Sequence, residues 1–243
     1  MKIILNNRKV EQIPVLEYYQ EDFEYKSLVF VQHGYESTKE YGCDFLAVNL
    51  ARQGYFVVAI DGYKHGERIA EPYITGTAQE RLDEAFVVVK RTALDIIRLH
   101  HNAYFKRFPT FDVIGISLGG MVAYYLATRT RHVRTLIPVI STPDFLDMAY
   151  YAVTGAGGNT DEYFTEEKLD FIHSINPMER IAKLHYQSMH LFVGTSDPVV
   201  PYQPSKAFFA QYHREGDTYH EYDVDHNVPR EMQLDIVAAL DQN

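Results

Sequence analysis

A single serine lies between two glycines where an apolar run changes to a helical pattern. The stretch FDVIGISLGGMVAYYLATR spans 111–129 and places Ser117 two residues from both Gly115 and Gly119. A serine at a sharp strand-to-helix turn has a strained backbone, so its neighbours two positions away must be small. The turn lifts the hydroxyl above the sheet and directs the amide of Leu118 into the same space, at a helix N-terminus that favours anions. The pattern predicts Ser117 as a nucleophile and Leu118 as one oxyanion donor.

A serine hydroxyl is a weak nucleophile until a base removes its proton, and that base is commonly a histidine oriented by a carboxylate. Of the eleven histidines, His226 has the most suitable position, because the segment DVDHNVP ends a predicted strand and Pro229 begins a helix. His226 is therefore expected on a loop at the carboxyl edge of the sheet, where open α/β sheets place their sites. We predict His226 as the base.

The best candidate for the acid is Asp197 in the segment LFVGTSDPVVP, where a buried strand ends at Gly194. Asp144 also follows a strand at the same edge, in PVISTPD, and remains the alternative. Asp223 and Asp225 adjoin the histidine in sequence, but alternation along the strand is expected to point them away. The carboxylate would fix the imidazole tautomer and stabilise the imidazolium.

The segment VFVQHGYEST suggests the second oxyanion donor, because it ends a strand and turns at Gly34. The amide of Tyr35 would then face the same space as that of Leu118, and its side chain is predicted to contact substrate. His33 lies inside this turn and is interpreted as a hydrogen-bonded brace, not as a base. His65, in DGYKHGER, is a candidate for lining the site and contacting substrate, although the residues themselves favour a structural turn.

Short apolar strands alternate with amphipathic helices along most of the chain. This alternation predicts an α/β fold in which a mainly parallel sheet is flanked by helices on both faces. Strands are predicted over 13–20, 27–34, 55–62, 111–117, 133–141, 188–197 and 218–226, and helices over 41–54, 79–101, 119–130, 204–213 and 229–240.

Residues 144–185 interrupt the alternation, because they contain no clear strand but carry the loop GAGGN and many aromatic residues. The segment exceeds the usual length of a connection. We interpret residues 1–243 as one domain in which 144–185 form a small helical cap. Tyr150 and Tyr151 of the cap are predicted to contact the substrate.

Composition limits the classes of function. The formal net charge is −10, from 23 basic and 33 acidic residues, and no basic cluster offsets it, which argues against a nucleic-acid surface. The single cysteine, Cys43, cannot form an intramolecular disulfide and fits a reducing compartment. The N-terminus does not resemble a signal peptide and no apolar run is long enough to span a membrane. A cytoplasmic protein is expected.

These features together resemble the α/β-hydrolase family, in particular its small cytoplasmic serine esterases related to the dienelactone hydrolases. The resemblance extends from about residue 13 to 240 and rests on the HGY, DGYKHG, GISLGG, GTSDPVVP and DHNVP segments, and on the chain order serine, acid, histidine. It implies a triad of Ser117, Asp197 and His226, an oxyanion hole at the Tyr35 and Leu118 amides, and a cap after the sixth main strand. True dienelactone hydrolases use a cysteine nucleophile, so the serine favours ester hydrolysis through an acyl-serine.

The resulting expectation is a serine carboxylesterase acting on small to medium acyl esters, without a metal or other cofactor. A thioesterase or a peptidase could use the same groups, because a triad defines acyl transfer and not the leaving group. A non-catalytic ligand receptor on this fold would usually show a damaged triad, and fold alone does not decide function.

Overall fold

A computed structural model describes residues 2–69 and 76–242 of the chain. Within these residues, one eight-stranded sheet forms the centre of the molecule. Its strands are β1 (Ile3–Val10), β2 (Ile13–Gln20), β3 (Leu28–Gln32), β4 (Phe56–Ile60), β5 (Phe111–Ile116), β6 (Val133–Val139), β7 (Ser188–Gly194) and β8 (Thr218–Tyr222).

Eight α-helices in the described residues connect and follow these strands. They are α1 (Asp44–Arg52), α2 (Ala78–Leu99), α3 (Leu118–Ala127), α4 (Phe145–Gly155), α5 (Thr160–Tyr163), α6 (Glu166–Ile175), α7 (Gln203–Tyr212) and α8 (Arg230–Ala239). The longest, α2, begins with a capping box in which the Thr77 side chain accepts from the Glu80 amide and the Glu80 carboxylate accepts from the Thr77 amide. Short 3-10 turns follow at Gly66–Arg68, Pro177–Lys183 and Leu240–Gln242.

The strand order is β1-β2-β4-β3-β5-β6-β7-β8, parallel from β4 to β8 and antiparallel at β1 and β2. Apolar residues of the central strands pack on both faces, against α1 and α8 on one side and α2 and α3 on the other. This architecture confirms the predicted mainly parallel sheet with helices on both faces. Register pairs Gln32 with Gly115 and Gly115 with Pro138, so the carboxyl ends of β3, β5 and β6 lie level.

The first hairpin is an element that the sequence patterns did not predict. Strand β1 pairs with β2 through a tight turn at Glu11 and Gln12, both of which have positive φ angles of 52° and 66°. Turns of this kind usually carry Asn-Gly or Asp-Gly, which this chain lacks here. Strand β1 is also an edge strand with several exposed polar residues, so it has little of the apolar signal of the central strands.

The segment 144–185 lies between β6 and β7 and consists of α4, α5, α6 and the turn Pro177–Lys183. Phe145 and Ala149 of α4 are fully buried in the main core, and the Phe145 ring lies 6.1 Å from that of Phe86 on α2. The Tyr163 hydroxyl donates to Asp83 of α2 over 2.5 Å. The segment is therefore anchored to α2 by both packing and hydrogen bonding.

Candidate active site

The chain bends sharply at Ser117, between β5 and α3. The backbone of Ser117 has φ 55° and ψ −115°, a strained combination for a residue with a side chain. A Cβ added at Gly115 would lie 2.0 Å from the carbonyl oxygen of Gly119, and one added at Gly119 would lie 2.3 Å from the Gln32 carbonyl oxygen. These contacts explain why the turn requires both glycines, as the sequence predicted.

Three side chains that are distant in sequence are hydrogen-bonded in series at the carboxyl edge of the sheet. The Ser117 Oγ lies 2.8 Å from Nε2 of His226, and Nδ1 of His226 lies 2.7 Å from Oδ2 of Asp197. The other carboxylate oxygen of Asp197 accepts from the amides of Val199 and Val200, at 2.8 and 2.9 Å. The structure thus brings together the three residues proposed from sequence for nucleophile, base and acid.

These hydrogen bonds determine where the imidazole proton lies. An ionised carboxylate only accepts hydrogen bonds, so Nδ1 of His226 carries the proton and Nε2 is left to accept from the Ser117 hydroxyl. Burial alone would raise the pKa of Asp197, but hydrogen bonds from His226 and the Val199 and Val200 amides outweigh it, and the pKa is lowered. Asp197 therefore stays charged near neutral pH.

Direct contacts hold the loop that carries Asp197 against the loop that carries His226. A Cβ at Gly194 would lie 2.7 Å from the Val224 carbonyl oxygen, so glycine permits the two backbones to approach. The Ser196 hydroxyl donates to Asp223 over 2.8 Å, which gives that aspartate a structural partner away from His226. The alternative acid, Asp144, instead caps α4 by accepting from the Asp147 amide over 3.1 Å.

The turn after β3 lies directly beside Ser117. A Cβ at Gly34 would be 3.4 Å from the Ser117 Cβ and 4.0 Å from its Oγ. His33 is 2% exposed, donates from Nδ1 to the Gly34 carbonyl over 2.7 Å and accepts at Nε2 from the Gly62 amide over 3.0 Å. Burial lowers the pKa of His33 to about 4, so the ring is neutral and braces the turn as predicted.

A cluster of charged side chains around the buried Lys39 is hydrogen-bonded to the segment that follows this turn. Lys39 is fully buried, and its Nζ lies 3.1 Å from Asp61 and 2.6 Å from Glu67. Burial would lower the pKa of Lys39, but its hydrogen bonds to Glu40, Glu67 and Asp61 raise it overall, so the ammonium remains charged. Asp61 also accepts from the Lys39 amide over 3.0 Å, which ties the turn to the end of β4.

A cavity of about 580 Å³ opens above Ser117 and His226. Its walls are mainly aliphatic and aromatic, and no Asp, Glu, Lys or Arg is among the described residues that form them. The lining comprises Gly34, Tyr35, Ser37, Tyr41, Gly42, Leu82, Ala85, Phe86, Ile116, Ser117, Leu118, Met121, Ile140, Met148, Val199, Val200, His226, Asn227, Val228 and Gln233. Tyr35 and Leu118, whose amides were predicted as oxyanion donors, both reach this cavity.

Tyr150 and Tyr151 of α4, which the sequence predicted to contact the substrate, do not line the cavity above Ser117. Tyr150 stacks on Phe164 at 4.1 Å between ring centroids, and the Tyr151 hydroxyl donates to the Pro198 carbonyl over 2.8 Å. Both tyrosines line a separate groove between α4 and residues 201–207 at the start of α7. Met148 of the same helix lines the cavity above Ser117, whereas Tyr150 and Tyr151 are not among the residues that form it. A contact between these tyrosines and a substrate therefore stays a prediction.

His65, the third residue considered as a substrate contact, also does not line the cavity above Ser117. Its ring is 2% exposed, its Nδ1 donates to the Tyr63 carbonyl over 2.9 Å, and its Nε2 accepts from the Glu36 amide over 3.3 Å. Burial lowers the pKa of His65, which keeps the ring neutral for this role. The structural alternative for His65 is the one observed, because both ring nitrogens are occupied by the loop.

Several cavity residues were not identified from sequence. Val199 and Val200 follow the acid, and their amides hold its carboxylate while their side chains line the cavity. The available signal was the apolar pair of the segment DPVVP, of which Val200 is buried and Val199 is 47% exposed. Met121 and Met148 carried no comparable signal, because a methionine on an amphipathic helix usually belongs to the core.

No group of three or more His, Cys, Asp or Glu side chains in the described residues is arranged to hold a metal ion. Within the same residues, no helix is long and apolar enough to cross a membrane.

Residues 110–229 match a family model described as the prolyl oligopeptidase family. The Bacillus subtilis (strain 168) protein named "Putative esterase YitV" is 24% identical over 251 residues, covering 96% of each chain. TT1662 from Thermus thermophilus superposes with a TM-score of 0.80 at 20% identity, over 100% of this chain and 98% of that one. Acetyl xylan esterase 1 from Thermoanaerobacterium sp. JW/SL YS485 superposes with a TM-score of 0.69 at 19% identity. The superposition covers 99% of this chain and 87% of that one.

Proposed function

We propose that this chain, a serine hydrolase with the α/β-hydrolase fold, is a carboxylesterase that cleaves small to medium acyl esters through an acyl-serine. The observation that carries the proposal is the continuous hydrogen-bonded series from Ser117 through His226 to Asp197, at 2.8 and 2.7 Å, at the floor of an uncharged cavity. The assignment of catalytic roles to these residues is part of the proposal.

In the first half-reaction, the Ser117 Oγ attacks the ester carbonyl carbon as its proton passes to Nε2 of His226. The charge that develops on the carbonyl oxygen is stabilised by the amides of Tyr35 and Leu118. Leu118 suits this role because it is the first residue of α3, where an amide has no acceptor within the helix. The imidazolium then gives its proton to the departing alcohol, which leaves the acyl group on Ser117.

Water completes the cycle by the same groups in reverse. His226 takes a proton from the water as its oxygen attacks the acyl carbon, and returns a proton to Ser117 as the acid leaves. Asp197 remains ionised throughout and holds the imidazole in the required tautomer.

The proposed substrate class follows from the walls of the cavity. A volume of about 580 Å³ lies within the range of small-molecule sites, and side chains such as Leu82, Phe86, Met121 and Met148 favour an apolar acyl or aryl group. We include in the proposal that residues 144–185 act as a cap, because Met148 of α4 forms part of this wall.

A peptidase is the second candidate, and the match to the prolyl oligopeptidase model over 110–229 favours it, because that range contains all three proposed triad members. An aminopeptidase must also bind a free ammonium group. The described cavity lining has no carboxylate for that purpose, which supports the esterase. A thioesterase would use the same acyl pocket.

Turnover of p-nitrophenyl acetate and butyrate, of matched acyl thioesters and of alanyl p-nitroanilide tests these candidates. We expect the esters to react fastest and Ser117→Ala to lose about three to six orders of magnitude in kcat. A fluorophosphonate should label Ser117, as located by mass spectrometry. Ester turnover that persists in Ser117→Ala would contradict the proposal, and faster anilide cleavage would favour the peptidase.

A further inference from the structure

A second cavity, of about 510 Å³, lies at the opposite edge of the sheet from Ser117. Arg129, Arg131 and His132 line one side of it, and Lys183 and His185 line the other. We call this group the cationic cavity. Its first wall follows the end of α3 and its second precedes β7, so both walls belong to the amino edge of the parallel strands.

The charge of the cationic cavity contrasts with that of the whole chain, which has ten more acidic than basic residues. No carboxylate is among the described residues that line the cavity. Arg134, only three residues beyond Arg131, is paired with the buried Asp112 at 2.6 Å. Across residues 2–69 and 76–242, by contrast, Arg129, Arg131 and Lys183 form no ion pair.

A role in capping α3 does not account for these cations. Basic side chains often stabilise the exposed carbonyls at a helix C-terminus. Here the last carbonyls are already occupied by backbone amides: Tyr125 accepts from Thr128, Leu126 from Arg129 and Thr130, and Ala127 from His185. The Arg129 guanidinium lies over the Tyr125 ring, 6.0 Å from its centroid, and this contact leaves its N–H groups available to another acceptor.

The two walls of the cavity are fixed to each other before any ligand binds. The His185 amide donates to the Ala127 carbonyl over 2.9 Å, and the Gln187 amide donates to the Arg134 carbonyl over 2.8 Å. His132 is held by its Nδ1 on the Pro109 carbonyl at 3.1 Å and by the Phe105 ring at 5.3 Å. A preformed site loses less entropy on binding than one that must be ordered.

We propose that the cationic cavity binds a small polyanion of the phosphate class, such as a phosphorylated metabolite, as a site separate from the catalytic one. Arg129, Arg131 and Lys183 all line the cavity, and guanidinium groups match the oxygen geometry of phosphate. The ten residues of α3 separate this cavity from Ser117 by about 15 Å, so the anion is not the ester undergoing hydrolysis.

Calorimetric titration of the Ser117→Ala protein with pyrophosphate and tripolyphosphate, at constant ionic strength near 150 mM, tests the proposal independently of catalysis. We expect saturable binding with Kd below 1 mM, weakened at least tenfold by Arg129→Gln/Arg131→Gln. Lys183→Gln, on the opposite wall, should weaken binding as well. Lys9→Gln is the matched control, because Lys9 is an exposed cation on β1, at the far edge of the sheet.

Unfolding midpoints of all variants, measured without anion, show whether the substitutions preserve the fold. These side chains are mostly exposed, so we expect unchanged midpoints. Binding that is equally weak in wild type and variants, or an equal loss in Lys9→Gln, would overturn the proposal, because either result would reflect net charge and not this cavity.

Discussion

At the scale of single residues, Asp197 has two tasks that use different oxygens. Oδ2 accepts from His226, and Oδ1 accepts from the amides of Val199 and Val200. The amide contacts fix the carboxylate in place, so its orientation does not depend on the histidine. The same loop supplies two valines to the cavity wall, so the proposed acid and part of the cavity wall are positioned together.

Asp197→Asn should preserve the fold and reduce kcat by about two to four orders of magnitude, because an amide at this position favours the wrong imidazole tautomer. Asp144→Asn is the matched control, since asparagine caps a helix about as well as aspartate and should leave α4 intact. The measurements are steady-state hydrolysis of p-nitrophenyl butyrate and urea unfolding of each variant. Full activity in Asp197→Asn, with a large loss in Asp144→Asn, would transfer the acid role to Asp144.

At the scale of elements, the turn at Ser117 depends on the close approach of α3 to β3. A side chain at Gly119 would collide with the backbone of Gln32, which cannot move without shifting the strand. The strained φ of Ser117 is therefore maintained by packing of the surrounding elements. This arrangement places Ser117, the proposed nucleophile, at the end of a rigid strand.

Gly119→Ala should destabilise the protein by about 3 kcal/mol and reduce kcat at least a hundredfold, because the added methyl overpacks the elbow. Gly155→Ala provides the control. Gly155 ends α4 with nothing within 4 Å of an added Cβ, and alanine there should stabilise the helix by up to about 1 kcal/mol. Urea unfolding and ester turnover measure both effects, and a Gly119→Ala protein with normal stability and rate would contradict the packing argument.

The buried His33 ring in the turn before Tyr35 should make the free energy of unfolding depend on pH. His33 has a pKa of about 4 in the folded protein against 6.5 when unperturbed. Its contribution is therefore complete above pH 6.5 and is lost as pH falls towards 4, because the unfolded chain binds the proton first. Over that interval the wild type should lose up to about 3 kcal/mol more than His33→Gln, which keeps a donor and an acceptor but does not titrate.

Urea unfolding at intervals between pH 7 and 4 measures this difference. Burial also lowers the pKa of His65 and His100, so both proteins should lose stability in acid. Their contributions cancel in the comparison of wild type with His33→Gln. Parallel pH profiles for the two proteins would show that His33 is not held neutral by the fold.

The sequence predicted most of the central sheet and the three aligned side chains because these depend on local signals. Buried strands are continuous apolar runs, and the elbow at Ser117 needs glycines at fixed positions. Strand β1 was missed because its turn at Glu11 and Gln12 uses positive φ without glycine. Tyr150 and Tyr151 do not line the cavity above Ser117, because α4 turns Phe145, Ala149 and Val153 towards the core, and this i, i+4, i+8 spacing could have been read from the sequence.

At the scale of the whole molecule, the charged side chains lie away from the cavity in which the proposed reaction takes place. The chain carries a net charge of −10, yet the described walls of the cavity above Ser117 are uncharged and the cationic cavity lies at the opposite edge of the sheet. An anionic ester therefore meets two barriers. Long-range repulsion acts during approach and is screened by salt, whereas loss of hydration acts inside the cavity and is not.

The p-nitrophenyl monoester of succinate should consequently react at least a hundredfold more slowly in kcat/KM than the butyrate ester of equal chain length, because its carboxylate is buried without a partner. Raising the salt concentration from about 10 to about 150 mM shortens the Debye length from roughly 30 to 8 Å and should recover only a few-fold of that difference.

Met148→Lys, which adds a cation to the cavity wall, should recover about tenfold more. Tyr150→Lys adds the same charge to the same helix outside the cavity, so any gain there should vanish at 150 mM salt. Equal rates for the two esters in wild type would show that the catalytic cavity is not the uncharged site described above, since a carboxylate cannot enter such a site without a large loss.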